Sequence, residues 1–117
     1  MGLLTNFIVI ESLEDIGDEC KKIAREIRRM DKDPGKRKVV IDYLEKLDDC
    51  YRTSMRCFYK NDKLLAGNVS VTIRKTLDDI DSFTEKETNP VLVKLANSLR
   101  NFLVDVRGIC RASLNNT

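Results

Sequence analysis

The chain contains no histidine and no tryptophan, and its 117 residues include only two prolines and five glycines. Without histidine the commonest general base is missing and a Cys/His zinc site is excluded. The four cysteines, Cys20, Cys50, Cys57 and Cys110, lack CxxC spacing, so they read as small apolar residues buried in a reducing compartment. A dominant charge is lacking too: 21 basic and 19 acidic residues leave a net charge of +2. No whole-chain field therefore points to nucleic acid or a membrane surface as partner. The apolar run in "MGLLTNFIVI" is too short to span a bilayer and has no basic flank, so no membrane insertion is expected and the location reads as cytoplasmic. Nor is there a G-x-S-x-G elbow or a phosphate-cradling glycine loop. The chain reads as no enzyme, with no catalytic or cofactor-binding residue to name.

What is present is helical periodicity. From about Leu4 to Met30, the residues Leu13, Ile16, Cys20, Ile23, Ile27 and Met30 recur every three or four positions, the period of an amphipathic helix. Pro34 and Gly35 end that segment, because proline disfavours helix in the residue before it. A second stripe, Val40, Tyr43, Leu44, Leu47, Cys50, Tyr51, Ser54 and Phe58, predicts a helix over about Lys36 to Lys60. Asn61 and Asp62 then offer a turn and an N-cap. A third helix, about Asp62 to Lys86, contains the β-branched stretch "NVSVTI", which could alternate as a strand. Its continuation through Ile73, Leu77, Ile80 and Phe83 restores helical spacing. Pro90, with Asn89 or Thr88 as cap, opens a fourth helix to about Leu114, striped by Leu92, Leu95, Leu99, Phe102, Val106, Ile109 and Cys110. These segments and their short connections predict an all-α fold, an antiparallel up-and-down bundle of about four helices forming one domain over residues 1–117.

Charge is unevenly spread along the first helix. Glu11, Glu14, Asp15, Asp18 and Glu19 precede Lys21, Lys22, Arg25, Arg28 and Arg29, an order that the helix dipole favours for solvated side chains. Glu11, Glu14 and Asp18 also project from nearly one side, and carboxylates so arranged can ligate a hard cation. Gly17 lies beside them, where an interior helix glycine costs about 1 kcal/mol against alanine and calls for a packing or functional reason.

The segment "SLEDIGDECKKIARE", Ser12 to Glu26, resembles the signature helix of the PhoU family, which runs L-E-R-I-G/A-D and, a few residues on, N-I-A-E. Leu13, Glu14, Ile16, Gly17 and Asp18 match it, as do Ile23, Ala24 and Glu26. Asp15 replaces the usual arginine, Lys22 the usual asparagine, and Cys20 lies where histidine or alanine is common. "NDKLLAGNV" resembles a family turn and helix start, and "LANSLRNFLVDVRGICRASLN" resembles a degraded second signature helix, with Arg100 and Val104 where the acids of the E-x-x-x-D pair would be. PhoU domains are three-helix bundles whose third helix carries the signature, usually in tandem repeats. The chain thus resembles the end of one repeat followed by a complete second, whether as a compact relative or as the C-terminal portion of an archaeal AbrB/PhoU-type regulator.

The resemblance implies a cytoplasmic regulator of phosphate uptake or signalling, whose protein partner is a phosphate transporter component or a sensor kinase. It implies no catalytic step. Carried over residue by residue, Glu14 and Asp18 are the metal ligands, for iron or zinc. The alternative reading is a helical self-association or scaffold module without metal, as a homo-oligomer whose acids are solvated. Asp78 and Asp81 could add ligands if their helix meets the first; Asp105 could too, or could pair with Arg107 or Arg111. The basic stretch "RRMDKDPGKRK" complements a helix end or docks an acidic or phosphorylated partner.

Overall fold

The computed structural model describes residues 3–30 and 32–115. Among these, the chain forms four helices and no strand: α1 (Leu3–Arg29), α2 (Pro34–Lys60), α3 (Lys63–Lys86) and α4 (Pro90–Asn115). The ends are set by local chemistry. Asp33 caps α2, its carboxylate accepting from the backbone N–H groups of Gly35 and Lys36 at 2.9 and 3.3 Å. Helix α2 consequently begins at Pro34, two residues before the expected Lys36, and Gly35 lies in its first turn rather than in a loose connection. Asn61, at φ 52°, closes α2 in the left-handed region. Asp62 accepts from the N–H of Leu65 at 3.0 Å, and Asn89 from that of Val91 at 3.0 Å, so the expected caps form.

The β-branched stretch is helical within α3. Val69, Ile73, Thr76, Leu77 and Ile80 are buried there, and tertiary burial of one helical face outweighs a small intrinsic strand preference. Thr76 donates its hydroxyl to the carbonyl of Thr72 at 2.9 Å, which satisfies a polar group inside the core.

The arrangement is centred on α4, which packs against each of the other three helices. Twelve of its residues are buried, including Leu95, Leu99, Leu103, Val106 and Ile109, and each large aliphatic side chain so removed from water contributes roughly 1.5–3 kcal/mol. Helices α2, α3 and α4 also pack mutually, whereas α1 rests on α4 alone. Among the described residues, no Cα of α1 lies within 8 Å of one in α2 or α3. A groove therefore remains between α1 and α2, with Phe102 of α4 in its lining.

Seven-residue spacing sets how α1 sits. Val9, Ile16 and Ile23 are buried against the core, and Glu19 and Glu26, three residues after Ile16 and Ile23, are buried too. Cys20, placed by simple periodicity in this stripe, is exposed. A helix packed lengthwise on one neighbour follows a period near 3.5, which rotates Cys20 out and Glu19 in. Cys50, Cys57 and Cys110 are buried as expected, with the Cys110 thiol donating to the carbonyl of Ala66 at 3.2 Å. Burial, and then the neighbouring Cys57, pushes that thiol up to about 11.

Close approach of α1 and α4 depends on Gly108. A Cβ there would lie 3.0 Å from the Ser12 hydroxyl. The Gly108→Val variant is expected to force the helices apart and to lose on the order of 1–3 kcal/mol of stability, read from urea unfolding midpoints.

Candidate functional site

Each of three faces of α1 meets a different environment. The face carrying Ile16, Glu19, Ile23 and Glu26 lies on α4. A second, carrying Cys20, Ala24 and Ile27, borders the groove toward α2. The third carries acids, and there Asp15, Asp18 and Glu19 line an open groove of about 280 Å³ with Lys22 of the same helix and Asn101, Val104 and Asp105 of α4.

Asp18 lines the acidic groove, but Glu14, although one turn away and exposed, does not. The groove instead gathers Asp15, Glu19 and Asp105 around Asp18. Glu19 is 8% exposed; its Oε1 lies 3.4 Å from the Lys22 ammonium, while its buried Oε2 has no partner. Glu26, one heptad on, repeats the pattern, with Oε1 3.6 Å from Arg29 and Oε2 buried without a partner. A carboxylate oxygen left so is unfavourable.

Asp105 faces the acids of α1. Its carboxyl is raised to about 6, first by burial and then by the charges of Asp15 and Glu19. It is therefore an acid among acids, and not the ion-pair partner of Arg107 or Arg111 that its own helix suggested. Asp81 is likewise engaged elsewhere, accepting from Arg100 Nε at 2.9 Å across α3 and α4. Asp78 is exposed on α3, a helix that does not approach α1, so neither residue joins the α1 acids.

Among the described residues, no three Cys, Asp or Glu side chains are arranged to hold a metal ion. Glu14 and Asp18 thus offer two hard oxygen donors on an open helix surface rather than a closed coordination sphere. Sequence spacing marks Asp105 only as a possible added ligand, and the crossing of α1 over α4 is what brings it to the groove. Spacing could have revealed Glu19, because Ser12, Glu19 and Glu26 recur every seven residues, three after Val9, Ile16 and Ile23.

The basic stretch forms one end of the bundle, where Arg28 and Arg29 end α1 and Lys36, Arg37 and Lys38 begin α2. Among the described residues, no helix is long and apolar enough to cross a membrane. In comparisons with known proteins, no family model, no curated protein and no solved structure matches the chain.

The acidic groove makes a directional prediction. Asp105 has a folded-state pKa above its ordinary value of 3.8, so it favours folding when protonated and this contribution is lost as pH rises through about 6. Asp105→Asn is expected to raise the urea midpoint at pH 7 and to leave it unchanged near pH 3, where the wild-type carboxyl is protonated in both states.

Proposed function

We propose that the protein is a PhoU-like regulator of phosphate uptake or phosphate signalling, one domain over residues 1–117, that acts in the cytoplasm by binding a protein partner and catalyses no reaction. The partner on this reading is a phosphate transporter component or a sensor kinase. One observation carries most of the support: the signature-like helix α1 packs along α4, the helix that resembles a degraded copy of the same signature. Ser12, which opens the first motif, meets Gly108 within the second. Two related helices laid against each other, with α2 and α3 completing a three-helix unit around α4, are what the end of one repeat and a full second repeat require.

A bound iron or zinc ion is a separable part of the reading. Glu14 and Asp18 would supply two carboxylates, and since the described residues arrange no third ligand around them, water or a partner would complete the shell. The chemistry of such an ion would be electrostatic, drawing an anionic group of a partner to an otherwise acidic helix surface.

Deleting the gene in its own host and measuring uptake of labelled phosphate tests the regulatory reading. Uptake is expected to stay high in phosphate-replete cells, and unchanged uptake would contradict it. For the ion, elemental analysis of protein purified without chelator is expected to find iron or zinc that the Glu14→Ala/Asp18→Ala variant lacks. Protein without metal in both forms would remove that part alone.

A further inference from the structure

Helix α1 carries a second seam that the described residues cover only in part: Leu13 and Ile27 are packed on the edge of the core, and the rest of it is exposed. Leu3, Ile10, Gly17 and Ala24 recur every seven residues, and Asn6, Leu13, Cys20 and Ile27 recur three positions after them. This is the spacing by which a helix packs lengthwise on another helix, and seven of the eight side chains are apolar or small. Leu3 is 86% exposed and Ile10 54%. Gly17 sharpens the point: a Cβ there would meet nothing within 4 Å, so no contact within this chain offsets its helix-propensity cost. Small residues at mid-helix are the means by which two helices approach closely.

We propose that this seam is a two-fold interface with a second copy of the chain, formed by antiparallel packing of α1 on the partner's α1 about an axis beside Gly17. The charges of α1 select that occupant. Its acids lie in the half from Glu11 to Glu19 and its bases in the half from Lys21 to Arg29, so an antiparallel mate sets acid against base at both ends. About this axis Glu14, on the outer flank of the seam, falls opposite Lys21, and Lys21 opposite Glu14, giving two equivalent ion pairs. A lipid surface fits poorly, because the five acids of the N-terminal half would repel an anionic headgroup.

The same register finds a place for the apolar start of α1. Leu3, 86% exposed, runs past the end of the partner's α1, and Phe7, also more than half exposed, falls opposite the last turn of that helix. There a cavity of about 200 Å³ is lined by Ile27, Met30, Val40, Ile41 and Leu44. By symmetry both cavities are filled. The contact pairs Glu14 with a lysine ammonium, the alternative to its holding a metal ion, and it stands whether or not the phosphate reading holds.

Sedimentation equilibrium of the full chain, with circular dichroism to check each variant's fold, tests the proposal. The wild type is expected at twice its 13.4 kDa mass, unaffected by EDTA. Ile10→Glu should abolish the dimer. Glu14→Lys and Lys21→Glu should each weaken it about tenfold at low salt, and the double exchange should restore it, because repulsion becomes attraction. A monomer at every concentration would overturn the proposal, as would a dimer indifferent to Glu14→Lys or one not restored by the exchange. A dimer dissolved by EDTA would overturn it too, while leaving metal binding at Glu14 and Asp18 standing.

Discussion

Burial of α4 is the constraint on which the other contacts depend. It has the largest buried set of the four helices, and among the described residues it alone touches all the others. Helices α2 and α3 pack on it and on each other, so removing one would leave the other still partly covered. Helix α1 has no such support. Its seam on α4 alternates apolar residues with Ser12, Glu19 and Glu26, and two buried carboxylate oxygens in that seam have no partner. The bundle is thus a three-helix unit with a fourth helix held along one side by a mixed, half-polar contact.

That contact explains the character of the surface beside it. The approach of α1 to α4 brings Asp105 to Asp15 and Glu19, and burial, with repulsion by those two acids second, raises the Asp105 carboxyl. On the opposite flank, where among the described residues no Cα of α1 comes within 8 Å of α2, a trough remains with Phe102 in its lining. An acidic side and an apolar side on a helix held by a single neighbour suit a surface used for binding. Proteins generally place such exchangeable elements at the less stable end of their range.

Much of the fold was legible in sequence because its strongest signals are local. Asp62 and Asn89 announce helix starts by side-chain capping, and every residue of the α4 apolar stripe from Leu92 to Cys110 is buried. The misplacement of Cys20 has a different origin. A stripe counted in threes and fours does not distinguish a period of 3.6 from one of 3.5, and over the length of α1 the difference carries a glutamate into the seam and a cysteine out of it. The candidate site was less legible because it depends on which helices meet. Asp18 was found from its own helix, Asp105 required the α1 crossing, and Asp81 was drawn away by Arg100.

The central claim is that α1 is a separable, two-faced helix, held to α4 by one seam and offering the other to a partner. Native-state hydrogen exchange at two protein concentrations tests it most directly. The account predicts that α1 amides exchange through an opening of lower free energy than that of α4, and that their protection rises with concentration. Equal opening free energies for α1 and α4, unchanged by concentration, would contradict it.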